Sequence, residues 1–157
     1  MKPITSILII LFIFLNKTNA QNDTCLQCNC FKNTSFSWKA FDTKQSKDFL
    51  VKGDSIYYYT NSIINMIKRI NKTSSIRIKL LKVKNNVPYI KIINSTEFTQ
   101  HMGSTGAMIF LSTLVFNITE IKGINKVYVS FLEGDHSGQP GFFTRDYFKK
   151  GYVICKE

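Results

Sequence analysis

The sequence predicts an α+β fold: an α-β-β-α-β core in which two helices pack on one face of a small mixed sheet, with additional N-terminal and C-terminal strands. Three observations lead there. Two segments carry apolar residues at helical spacing, several others alternate with period two, and an Asn-Asn pair separates two alternating runs as a hairpin turn would.

The elements follow in chain order. Phe36, Trp38 and Ala40 alternate with Ser35, Ser37 and Lys39, as in a half-buried strand, and 42–48 is polar and reads as a loop. Ser55 to Tyr59 reads as a short strand running into a helix. Its three tyrosines would point alternately to opposite faces, which disfavours a single stacking platform. Thr60 is placed to N-cap a helix from Asn61 to about Asn71, with Ile63, Ile64, Ile67 and Ile70 inward and Asn65, Lys68, Arg69 and Lys72 outward. Ile76 to Leu80 alternates, and Leu81 to Lys84 alternates in the opposite phase, so a bulge is expected at the Leu80-Leu81 pair. Asn85-Asn86 can supply positive-φ turn residues, and Tyr89 to Ile93 returns as the partner strand.

A second amphipathic helix is expected from about Ser104 to Lys122. Its sheet-facing stripe is Ala107, Leu111, Leu114, Ile118 and Ile121, widened by Met108 and Val115, with Ser104 or Thr105 as N-cap and Gly123 as the stop. Val127, Val129 and Phe131 form a third strand, 133–141 is turn-rich, and Tyr147 to Cys155 adds a last strand.

The first residues have the form of an export signal: Lys2, an apolar run from Ile4 to Leu15, and Thr18-Asn19-Ala20 at a cleavage position. That run is shorter than the roughly 20 residues of a spanning helix, and no lipobox precedes Cys25. The expected organisation is a cleaved signal over 1–20, a cysteine-rich segment over 21–34 and one domain over 35–157, exported to a periplasm or the extracellular space. A domain of this size buries about two-thirds of its unfolded surface, enough for one core.

The formal net charge is +11, and the signal holds only two of the lysines. Such a surface favours anionic partners. Lys68, Arg69, Lys72, Arg77, Lys79, Lys82 and Lys84 are the candidate anion-binding residues, for a polysaccharide or lipid headgroups. Four cysteines, Cys25, Cys28, Cys30 and Cys155, suggest two disulfides in an oxidising compartment, with three possible pairings. A bridge from Cys28 or Cys30 to Cys155 would close nearly the whole mature chain, worth about 4–5 kcal/mol in the chain-entropy account. A redox pair (Cys25, Cys28) would want a thioredoxin-like context, and a four-thiolate metal site would want a second CxxC; neither is present in the sequence.

The segment STEFTQHMGSTGAMIFLSTLVFNITEIKGINKVYVSF, from Ser95 to Phe131, resembles the sporulation and spore germination (GerMN-like) domain. The resemblance covers roughly Ile56 to Tyr147. It rests on the helix-hairpin-helix-strand order, Ser95-Thr96-Glu97-Phe98, Gly103-Ser104-Thr105-Gly106, Leu114, Asn117 and Thr119, and the descent from Ile121 to Val127. It implies a bacterial extracytoplasmic module related to ring-building parts of envelope machines, hence protein–protein interaction or self-assembly. The chain departs from the pattern at Ala107, where an acidic residue is common, in its single copy of the domain and in its cysteine-rich N-terminus.

Enzymatic chemistry finds little support. Asp135-His136-Ser137 has triad residue types but cannot converge as sequence neighbours, and Glu133, Asp135 and His136 form only a weak metal set. Gly103-Ser104-Thr105-Gly106 lacks the lysine and spacing of a P-loop, so no nucleotide and no cofactor is expected. In the mature chain, sequons begin at Asn22, Asn33, Asn71, Asn94 and Asn117. The remaining anomaly is on the second helix. Ile109, Phe116 and Glu120 fall outside its core stripe and form a candidate protein interface, unless the C-terminal segment, through Phe142, Phe143 or Phe148, covers them.

Overall fold

A computed structural model describes residues 36–43, 47–53, 62–136 and 138–155, all within the compact unit Asn33–Glu157. The expected signal, the N-terminal cysteines, Ser55 to Tyr59 and the expected cap Thr60 lie outside the described residues.

The predicted core order is present. Helix α1 (Ile63–Thr73) leads to β3 (Ile78–Lys84), β4 (Val87–Ile92), α2 (Gly103–Ile118) and β5 (Lys126–Ser130). The additional strands do more than flank this core. N-terminal β1 (Trp38–Phe41) and β2 (Asp48–Lys52) join C-terminal β7 (Tyr152–Cys155) in a separate sheet, ordered β1-β2-β7. Strand β6 (Gly141–Thr144) extends the main sheet to the order β3-β4-β5-β6, and a short helix α3 (Arg145–Lys149) links it to β7. Both sheets are mixed, because β2 pairs with β7 and β4 with β5 in parallel while the other neighbours run antiparallel.

The hairpin forms as its sequence implies. Asn85 and Asn86 sit at φ 51° and 58°, the left-handed pair of a tight turn that follows the strand twist. The β3–β4 register slips between Leu80 and Lys82, so the bulge lies at the doubled leucine. Ile78, Ile90, Ile92, Val127, Val129 and Phe143 point to one face of the sheet and join a single core with Met66, Ile67 and Ile70 of α1 and most of α2.

Several expectations need correction. Ile64 is exposed and Met66 takes its place in the α1 stripe. No side chain caps α2: Met102 stands at its N-cap in helical conformation, at the end of a π-helical turn over Glu97–His101, and Gly103 makes the bend at φ 68°. The helix ends at Ile118 instead of Lys122. Beyond it, Glu120 and Ile121 donate to the carbonyls three residues back, tightening the chain before Gly123. The largest change concerns amphipathicity, since α2 is buried on nearly every side from Phe110 to Ile118.

Gly134 is required by close approach. A Cβ there would lie 2.5 Å from Thr99 Oγ1, where the loop after β5 crosses the π-helical turn and His136 N donates to Thr99 O at 3.0 Å.

Candidate functional site

The helix face proposed as an interface is occupied. β1 is an edge strand, and its outward backbone groups meet α2 side chains. Trp38 N donates to Asn117 Oδ1 (3.1 Å), Asn117 Nδ2 donates to Trp38 O (2.6 Å), and Ala40 N donates to Thr113 Oγ1 (3.0 Å). The fit has a simple origin. Residues four apart on a helix rise about 6 Å, and residues two apart on a strand span about 6.8 Å. Trp38 packs edge-on against Phe116 with centroids 5.2 Å apart.

The Arg145 guanidinium lies 5.0 Å from the Phe116 ring. It also closes the end of α2, donating to Phe116 O (2.9 Å) and Thr119 Oγ1 (2.8 Å). Phe116 is 2 % exposed and cannot dock a partner, with Trp38 of β1 and Arg145 lying against its ring. Ile109 is half-buried beside an apolar cavity of about 200 Å³ between β1, α1 and α2, lined also by Phe36, Ile70 and Met102.

Glu120 is likewise committed internally. It accepts from Trp38 Nε1 at 2.9 Å, pairs with Arg145 and lies 3.9 Å from Lys52 Nζ. Burial opposes its ionisation, but the hydrogen bonds from Arg145 and Trp38 and the charges of Arg145 and Lys52 outweigh that cost and hold its pKa below the usual value.

The basic residues divide into three groups. Arg77 is structural, donating to the carbonyls of Asn71 and Ser74 at the end of α1. Arg69 lies over Phe36, 5.9 Å from the ring centroid, while Lys68 and Lys72 extend from α1 into solvent. Lys79 and Lys82 stand on the face of the main sheet opposite the helices, with Lys84 beside the hairpin.

That open face contains residues sequence reasoning did not single out. Strands β3 to β6 carry Lys79, Lys82, Lys84, Lys91 and Lys126 and no acidic residue. Lys79 sits directly opposite Lys91, a like-charge cross-strand pair that costs the sheet stability. In the next row, register places Lys82 opposite Tyr89, Tyr89 beside Tyr128, and Tyr128 opposite Phe142. The rings form a continuous strip with centroids 5.1 Å and 5.0 Å apart. Lys82 lies 4.9 Å from the Tyr89 ring at one end, and Lys126 lies 5.3 Å from the Phe142 ring at the other. The period-two alternation of Tyr128 with Val127 and Val129 already put Tyr128 outward; only the pairing of β4 with β5 and β5 with β6 joins the three rings.

The remaining candidates do not converge. His101 Nδ1 pairs with Glu97 at 2.8 Å on an exposed turn, while Glu133, Asp135 and His136 lie in the loop after β5. Among the described residues no three His, Cys, Asp or Glu side chains are grouped to hold a metal, and no helix is long and apolar enough to cross a membrane. Cys155 is buried and disulfide-bonded, and Cys25, Cys28 and Cys30 fall outside the described residues.

No protein-family model and no curated protein matches the chain, so the GerMN-like resemblance stands on its residues alone. A crystal structure of a candidate lipoprotein from Clostridium perfringens is similar to it, at 21 % identity over 69 % of this chain and 86 % of the other. The TM-score of that comparison is 0.38, too low to carry an argument about fold or function.

Proposed function

We propose that the chain is a non-catalytic, exported binding domain whose open sheet face engages an anionic polymer or surface. The observation that carries this reading is the five lysines on β3, β4 and β5 of a four-stranded sheet whose strands hold no carboxylate, two of them facing each other across β3 and β4. Bringing Lys79 and Lys91 together costs energy in the free protein, and an anion between them would remove that cost. Export is supported by the signal-like first residues.

The test is retention of the mature chain on a sulfated-dextran matrix as salt is raised. Wild type should elute at high salt and the Lys79→Gln/Lys91→Gln variant clearly earlier, because each lost contact releases fewer counterions. Equal elution of the two proteins would sink the reading.

A second reading keeps the assembly role implied by the GerMN-like resemblance. With Phe116 covered, its support is the exposed pair Ile93 (59 %) and Leu132 (76 %), which continue β4 and β5 beyond Lys91 and Ser130. Concentration-dependent self-association that resists salt and is abolished by Leu132→Ser would favour assembly.

A further inference from the structure

We infer that the polyanion taken by the open face is an acidic polysaccharide, held by its sugar faces on Tyr89, Tyr128 and Phe142 and by its acid groups on the flanking lysines. This rests on the polyanion reading above and specifies its ligand. Phe142 is 56 % exposed, and it does not stand alone: it completes a ring strip that crosses three strands. Scattered exposed apolar residues are ordinary, whereas a contiguous strip is a contact surface.

Two residues along the strands from that strip, about 6.8 Å away, lies the row of Lys79, Lys91 and Ser130. An aromatic row beside an ammonium row matches a chain whose repeating units have an apolar flat side and an anionic edge. A small metabolite would want a concave pocket, and this face is a sheet surface.

Ring orientation separates sugars from nucleic-acid bases. Tyr89 and Tyr128 are tilted by 35°, Tyr128 and Phe142 by 67°, so the strip has no common plane on which successive bases could stack. A pyranose presents its axial C–H groups on its faces, and successive units of a glycan turn relative to one another, so such a chain accepts aromatic partners that share no plane. The expected export of the chain, to a periplasm or the extracellular space, is compatible with a glycan ligand.

The experiment is equilibrium binding of the mature chain to polygalacturonate and heparin, with neutral dextran and oligothymidylate alongside, at low and moderate salt. The variants are Phe142→Ala, Tyr89→Ala and Lys79→Gln/Lys91→Gln, each checked by thermal melting. The inference expects an acidic glycan to bind and dextran to fail. Phe142→Ala and Tyr89→Ala should each weaken binding roughly tenfold at both salt concentrations, and the lysine variant should weaken it and flatten its salt dependence.

Loss of binding in the lysine variant with none in either aromatic variant overturns the glycan inference and leaves the polyanion reading standing. Tighter binding of oligothymidylate than of either acidic glycan does the same in favour of nucleic acid. Failure of wild type to bind any of the three polyanions overturns both.

Discussion

Asn117→Leu tests the idea that one side chain fastens the β1 edge to the central helix. Asn117 is fully buried, and its amide does for Trp38 what a neighbouring strand would do: it accepts from the N–H and donates to the C=O. Leucine has the same branched skeleton but satisfies neither group. Each buried backbone group left without a partner costs about 1–3 kcal/mol, so the two together should destabilise by roughly 2–6 kcal/mol. Thr113 O also loses a contact from Asn117 Nδ2, but it lies within α2, where the helix supplies a backbone donor, so it adds little. The extra apolar burial of leucine offsets a small part.

Against a total stability of about 5–15 kcal/mol, the variant should still fold at 25 °C with a much lower urea midpoint. Trp38 is the chain's single tryptophan, so its fluorescence reports directly on whether β1 stays docked. A loss under about 1 kcal/mol with unchanged Trp38 emission would refute the edge-clamp argument. Thr113→Val removes only the acceptor for Ala40 N and should cost about 1–3 kcal/mol, the smaller step of the same series.

Three further outcomes are expected. The folded pKa of Glu120 is depressed, so its contribution to stability is complete above the ordinary carboxylate range and disappears as pH falls through the folded value. Glu120→Gln should therefore be less stable than wild type at pH 7 and converge on it in acid, as read from melting temperature against pH. Gly134→Ala forces Cβ against Thr99 and should cost about 1–3 kcal/mol in urea unfolding, with Thr99→Ser restoring none of it, since the hydroxyl remains. The Tyr152 hydroxyl is buried, and although Ser112 is near enough to influence it, no hydrogen bond of good geometry forms. Tyr152→Phe should then be neutral or stabilising by up to about 1 kcal/mol by thermal melting, and a loss of 2 kcal/mol or more would show a satisfied hydroxyl.

The asparagines show why some chemistry was hidden in the sequence. Asn71 bonds both N and O of Ile78, Asn94 accepts from Arg77 N and donates to Ser75 O, and Asn117 clamps Trp38. Each lies in a sequon, yet each amide is spent on backbone. A sequon is read from three adjacent residues, while these partners lie from 7 to 79 positions away.

Local physics made the core order, the bulge at Leu80-Leu81 and the Asn85-Asn86 turn legible, because period, doubled apolar residues and positive φ are properties of neighbouring residues. The apolar run Phe49-Leu50-Val51 gave no alternation and went unread as a strand; its role depends on being covered on both sides between β1 and β7. Periodicity likewise placed Phe116 off the sheet-facing stripe of α2 but could not show that β1 would close over it. The sequence by itself determined the core elements from α1 to β5, their order and the excess of positive charge. Only the tertiary structure decided which surface stays open, because strand pairing fixes which distant residues share a row. That pairing set Tyr89, Tyr128 and Phe142 side by side and put Lys79 against Lys91.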